Sequence, residues 1–226
     1  MRRALAALAA AALACMLGLV VACPAGAQGP PSGTDFFVAP PAGQDIPAPP
    51  GADPRDPADV ATTWAERNRA RTGLTRDDAD LEVTEVEKAA AGMRVVRMQQ
   101  EVRGIPVLGA ETVVSVKPDG DIAGVTGERL GGRTPNLTPG IAAADARRIA
   151  ITDLATRYRV NPWGLTASAP EKVIFEPGIF GAPSPERSFL AWRVEVTGVK
   201  LGVADTVLVH AREGFSTVIP RTPHVR

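Results

Sequence analysis

Cysteine and histidine are nearly absent, at two of each in 226 residues. Both cysteines, Cys15 and Cys23, lie near the start of the chain. Once the leader is removed, the chain has no disulfide and no thiolate nucleophile. With only His210 and His224, no helix can offer the His-Glu-x-x-His pattern that turns two imidazoles and a general base toward one zinc. The chain also lacks a Gly-x-Ser-x-Gly nucleophile elbow and a phosphate-cradling glycine loop. Asp77-Asp78-Ala79-Asp80 is acidic, but it lacks calcium-loop spacing and the closing Glu, so it reads as a solvated turn. No catalytic constellation, no metal set and no cofactor are expected. Charge of one sign is missing too. The formal net charge is zero and the pI is near 6.8, which leaves no overall basic surplus for nucleic acid or anionic lipid. Aromatic residues are scarce at 4 %, yet hydrophobic residues make up 45 %, enough to build a core.

What is present begins with an address. Arg2-Arg3 and the apolar run Ala4–Ala22 form a basic n-region and an h-region, and Ala25-Gly26-Ala27 offers a small-residue cleavage site. Residues 1–27 therefore read as a secretory signal peptide, giving a secreted, extracellular or periplasmic protein. A second address also fits. Val20-Val21-Ala22-Cys23 has the form of a bacterial lipobox, with Cys23 acylated and the protein held on the envelope. Residues 28–55 follow as a linker expected to be disordered. Nine Pro and four Gly fall within 29–58, with no hydrophobic period.

Two helix-and-sheet units come next. Asp56 is placed to cap a helix that has Pro57 at its first position and ends at Gly73. A turn-rich segment from Thr75 to Asp80 leads to a strand at Leu81–Val83. The second unit opens at Thr138-Pro139, read as another cap, with an alanine-rich helix running to Tyr158. Strands at 172–175, 189–196 and 206–211 follow, with a loop at 178–185. In Leu190-Ala-Trp-Arg-Val-Glu-Val196, Leu190, Trp192, Val194 and Val196 face in, while Arg193 and Glu195 face out.

Between the two helices lies MRVVRMQQEVRGIPVLGAETVVSVKPDGDIAGVTG, residues 93–127. Its alternation reads as a three-strand antiparallel meander. Pro106 lacks a backbone donor, which places 105–108 at an edge or bend, and Pro118-Asp119-Gly120 forms a tight turn. By itself this is a structural meander. Its wording resembles the pro-region module of fungalysin-like and thermolysin-like secreted metalloproteases, the FTP module. The shared elements are a strand ending in Gln99-Gln100, then Gly104-Ile-Pro-Val-Leu-Gly109, a Val-rich strand, Asp119-Gly120, and a short strand closing on Gly127. The second unit resembles the PepSY module that continues such pro-regions. Ala142–Ala155 corresponds to its helix, Leu190–Val194 to its long strand, and 207–214 to its closing strand and turn. It departs at His210, where an Asp is usual, and at Glu213, where the turn usually begins with Thr.

The resemblance implies an α+β chain of two consecutive helix-on-antiparallel-sheet modules, cystatin-like or PepSY-like, spanning residues 56–131 and 136–226. It implies a protein without catalysis that binds a thermolysin-like secreted metalloprotease as inhibitor or folding chaperone. Two alternatives stand beside this: the pro-region of a metallopeptidase truncated or split here, and an envelope-anchored PepSY-type regulatory module. Candidate partner-binding residues are Gln100, Gly104, Ile105, Pro106, Val107 and Gly109. In the structural reading, Gly104 and Pro106 only shape a bend. His210 reads as structural. His224, in the Pro-rich tail, either frays or approaches a partner's zinc.

Overall fold

Asp56 starts the first helix as the sequence predicts. In the computed structural model, which describes residues 35–40, 44–74, 79–130, 134–180 and 188–219, its extended backbone ends at α1 (Pro57–Arg67). Its carboxylate accepts from the amides of Ala58 and Asp59, at 2.9 and 3.3 Å, two donors that have no partner inside the helix. The expected single helix is broken at Asn68, whose side-chain amide donates to Trp64 O at 2.9 Å. A short α2 (Arg69–Thr72) follows and stops at Gly73, in the left-handed region at φ 80°. Val60, Ala61, Trp64 and Ala65 form the buried face of α1, which lies on β2 (Ala79–Lys88), β3 (Arg94–Val102) and β4 (Ile105–Val116). β2 is an edge strand whose exposed Glu82, Glu85 and Glu87 discourage further pairing.

The meander closes with β5 (Ile122–Glu128), antiparallel to β4. Lys117 to Gly120 forms the expected turn, with Gly120 N donating to Lys117 O at 3.0 Å. The linker expectation is corrected over its described part. Asp35–Val38 is a strand, β1, paired antiparallel with β5, and Ile46 bridges Ile122. The physical reason lies in Gly127, where a Cβ would come within 2.8 Å of the Phe36 ring. The missing side chain seats that ring, and the open edge of β5 supplies the hydrogen bonds.

The second helix, α3 (Ala143–Tyr158), starts later than Thr138. The amides of Gly140 and Ile141 both donate to Ala211 O, at 2.8 and 3.0 Å, so these residues cap the far end of the sheet instead of opening a helix. Ala146, Ala150, Leu154 and Ala155 form its buried face. Ala144 and Tyr158 are exposed. Small residues let α3 sit close on β8 (Phe189–Gly198) and β9 (Val203–His210). The strand alternation is as expected: Leu190, Trp192, Val194 and Val196 are buried, while Arg193 and Glu195 point away. β6 (Thr166–Ala167), β7 (Glu171–Phe175) and the edge strand β10 (Ser216–Ile219) complete the set.

All ten strands belong to one sheet, ordered β1-β5-β4-β7-β8-β9-β10, with β3 also on β4, β2 on β3, and β6 on β8. The architecture is α+β and the sheet is almost wholly antiparallel. The exception is a parallel contact, Val107 opposite Ile174, where β4 meets β7. Residues from both halves share one continuous core, and Ser32–Arg226 forms one compact unit. The leader with Cys23, the Asp77-Asp78 turn and His224 lie outside the described residues. Among the described residues, no helix is long and apolar enough to cross a membrane.

Candidate partner-binding surface

The segment 104–109 is the point where the two halves of the sheet meet. Arg103 and Gly104 both have positive φ, 52° and 71°, the conformation of a two-residue primed hairpin turn. β4 then pairs with β3 at Ile105 and Pro106, leaves it, and rejoins at Glu111 opposite Gln99. Four residues, Val107 to Ala110, thus stand opposite Gln100 alone. The Gln99 side chain fills this bulge, its amide donating to Val107 O at 2.7 Å and Ala110 O at 3.0 Å. Pro106 sits within a flanked strand and not at an edge. Pro106 still pairs with Glu101, and the ladder breaks just after it, at Val107.

The bulge also resets the pleat. Before it, odd positions are buried (Ile105, Val107). After it, even positions are buried (Ala110, Thr112, Val114, Val116). The parity change keeps one face of β4 toward the core along its whole length. Gly109 makes the change with φ 79°. A Cβ there would lie 2.9 Å from Ile179 Cγ2 and 3.2 Å from Phe180 Cζ, so its bare backbone is also the seat of the second half's Pro177–Phe180 turn.

Of the six expected contact residues, three are reachable and three are not. Gly104 and Gly109 are exposed and Pro106 is half-buried, whereas Gln100, Ile105 and Val107 are buried. Gln100 is 1 % exposed and both ends of its amide are used. Nε2 donates to Gly73 O at 3.1 Å, and Oε1 accepts from Leu130 N at 2.8 Å. It ties the end of α2 to the exit of β5.

On the face away from α3, the bulge continues into a row of rings. Leu108 packs with Val173, Ala191, Leu208, Phe175 and Phe189. Phe180 stacks on Phe175 at 5.1 Å, and Phe175 lies 5.3 Å from Phe189. Phe189 lies 4.7 Å from His210, and His210 stacks on Phe215 at 4.6 Å. These separations are typical of attractive aromatic pairs. Phe180 and Phe215, at the two ends, are 48 % and 49 % exposed. Strand register gathers this surface, since Phe175 pairs with Phe189 and Ala191 with His210. Separate single aromatics in the sequence gave no sign of it.

Glu176 governs the turn that carries Phe180. Its backbone carbonyl accepts from Ile179 N at 3.1 Å and its carboxylate from Gly178 N at 3.4 Å. Burial raises its pKa above the ordinary 4.5, with the Gly178 amide opposing. A raised carboxylate pKa means that ionisation costs the folded state more than the unfolded one. The penalty is absent below about pH 4.5, grows as pH rises through the folded-state value, and persists at neutrality. Glu176→Gln is therefore expected to melt with the wild type at low pH and above it at pH ~7. Thermal melts across this range check it, and parallel curves would contradict the assignment.

Residues 79–128 match the family model of the Fungalysin/Thermolysin Propeptide Motif. This stretch is similar to the FTP motif. The match begins at β2, earlier than the resemblance read from 93–127, and takes in the whole β2–β5 meander. No curated protein matches the chain. Among solved structures, the chain is similar to the Bacillus megaterium YpeB C-terminal domain, with 15 % identity, a TM-score of 0.40, and coverage of 81 % of this chain and 70 % of that one.

Within the matched stretch, Gln99 and Gln100 have distinct structural tasks, as bulge plug and clamp. Beyond the motif, His210 is structural. Its Nδ1 accepts from Arg212 N at 3.3 Å and Glu213 N at 3.1 Å, the same service a carboxylate would give the β9–β10 turn. That accounts for a His where the resemblance expects Asp. Among the described residues, no group of three or more His, Cys, Asp or Glu side chains is placed to hold a metal. The matched motif is that of a propeptide, not of a catalytic domain.

Proposed function

We propose that this protein is a non-catalytic, propeptide-like module that binds a secreted thermolysin-like metalloprotease as inhibitor, folding chaperone or both. The observation that carries this reading is the match to the FTP motif over 79–128. The chain is read as an FTP module at 56–131 and a PepSY-like module at 136–226, acting outside the cytoplasm after a leader at 1–27. The contact surface is assigned to Gly104, Pro106 and Gly109 together with the ring row from Phe180 to Phe215. Aromatic side chains that are partly exposed and already packed against neighbours lose little freedom on binding. Gln100, Ile105 and Val107 hold that surface in shape from behind.

Phe180→Ser combined with Phe215→Ser tests the surface. Aromatic anchors at the centre of an interface contribute about 1–2 kcal/mol each, so affinity for the protease is expected to fall about 30- to 1,000-fold when both are removed. Circular dichroism should stay unchanged because both side chains are half exposed. Titration calorimetry against a thermolysin-like protease of the same organism reads the loss. Equal affinity of variant and wild type would remove the ring row from the interface.

The same motif also suits the front of a longer metallopeptidase. A reading frame that continues into a His-Glu-x-x-His segment would make the contact intramolecular, on the same surface.

A further inference from the structure

At the other end of the β8–β9 hairpin, two neighbouring turns hold apolar side chains in solvent. Trp163 and Val199 are each 93 % exposed, and Tyr158 and Leu201 are about 40 % exposed. The turns are adjacent, since a Cβ on Gly164 would lie 2.8 Å from Leu201 Cδ1. They are also well held. Asn161 Oδ1 accepts from Trp163 N at 3.0 Å, and Pro162 opens the first turn. Gly202, in the left-handed region, closes the second. Tyr158 Oη donates to Asp205 Oδ2, which anchors its ring beside them.

The charge around these tips is positive, although the whole chain is neutral. Arg157, Arg159 and Lys200 flank them, all exposed. Arg157 pairs with Asp153 at 3.7 Å. Arg159 and Lys200 form no ion pair among the described residues. The nearby acid, Asp205, is buried and taken by Tyr158.

We propose that this end of the molecule docks on an anionic lipid surface. Trp163 and Val199 would enter the headgroup region, with Arg159 and Lys200 over lipid phosphates. Two observations favour a bilayer over a protein. The patch consists of protruding tips and not a groove, and exposed cations rather than exposed acids flank it. Indole and phenol rings suit the boundary between headgroups and acyl chains, and each cation near an anionic surface strengthens binding about fivefold. The ten residues of β8 separate the tips from Phe189 by about 30 Å. A protein seated this way keeps its ring row free, so the proposal goes beyond the protease reading and does not depend on it.

The test uses the Ser32–Arg226 unit, which holds the whole sheet and core, so that the apolar leader adds no lipid affinity. Trp64 and Trp192 are buried, so changes in tryptophan emission report on Trp163. Vesicles of phosphatidylcholine with phosphatidylglycerol should shift the emission to the blue, and brominated acyl chains should quench it. Trp163→Ser or Val199→Ser should weaken co-sedimentation about tenfold or more. Lys200→Glu with Arg159→Glu should weaken it only on the anionic vesicles. An unshifted emission on anionic vesicles would overturn the proposal, as would undiminished co-sedimentation of the Trp163→Ser and Val199→Ser variants or equal binding to pure phosphatidylcholine. Binding of a purified protein that needs Trp163, without any vesicle binding, would overturn it as well.

Discussion

Gly109→Val is expected to destabilise the protein by about 2–6 kcal/mol. Two costs act together. A β-branched residue at φ 79° is strained by about 1–3 kcal/mol. Its side chain must also displace Ile179 and Phe180, whose atoms lie 2.9 and 3.2 Å from the position of its Cβ, and overpacking of this kind costs about 1–3 kcal/mol. The damage does not stay local. The parity change at Gly109 faces both ends of β4 toward the core, and the Pro177–Phe180 turn docks on the same bare backbone. Loss of protease affinity should accompany the loss of stability. Chemical denaturation of Gly109→Val beside Gly104→Val separates the causes. Gly104 also has positive φ, but nothing lies within 4 Å of its Cβ position, so strain alone applies there and the loss should be about 1–3 kcal/mol. Equal losses at the two sites would show that packing on Gly109 is unimportant.

Gln100→Leu is expected to cost about 2–4 kcal/mol. Leucine fills nearly the same space, so little cavity forms. What is lost is the partner of Gly73 O and the partner of Leu130 N. A backbone group left unsatisfied costs about 1–3 kcal/mol, and the low end applies because both groups are only part-buried. In a unit of this size each kcal/mol lowers Tm by about 2–4 °C, so a fall of about 5–15 °C is expected. Amide exchange should quicken at Leu130 and along α2, since the clamp joins those two segments. A Tm within a degree or so of the wild type would mean that the clamp contributes nothing.

Much of the fold was legible because its signals are local. Asp56 and Pro57 open α1, Gly73 closes α2, and Pro118-Asp119-Gly120 turns the chain, each by chemistry contained within a few residues. The buried alternation of Leu190 to Val196 is equally plain. Misses arose where distant residues decide. Thr138-Pro139 has the look of a helix start, but Gly140 and Ile141 are drawn to Ala211 O. Phe36 sits among prolines and glycines, and only the bare face of Gly127 makes a strand of it. Pro106 argued for an edge or a bend; the bend is there, as the bulge at 107–110, but inside a flanked strand. The join of the two halves through Val107 and Ile174 has no sequence signature at all.

The binding surface divides along the same line. The motif pointed to 104–109, because its Gly and Pro positions mark unusual backbone. Which of those residues face outward depends on the parity change, and that depends on a φ angle. The ring row escaped notice because Phe175, Phe180, Phe189, His210 and Phe215 stand far apart in the chain. Strand register and one short turn assemble them.

The measurement that bears most directly on the function is peptide hydrolysis by a thermolysin-like metalloprotease of the same organism, in the presence of the Ser32–Arg226 unit. An inhibitory interface of ordinary size, about 1,600 Å² in total, gives affinities of micromolar or better. Hydrolysis should therefore slow in proportion to the unit at micromolar concentration, and the Phe180→Ser/Phe215→Ser variant should slow it far less. Unchanged hydrolysis, together with no gain in refolding yield when the denatured protease is diluted into the unit, would contradict the account.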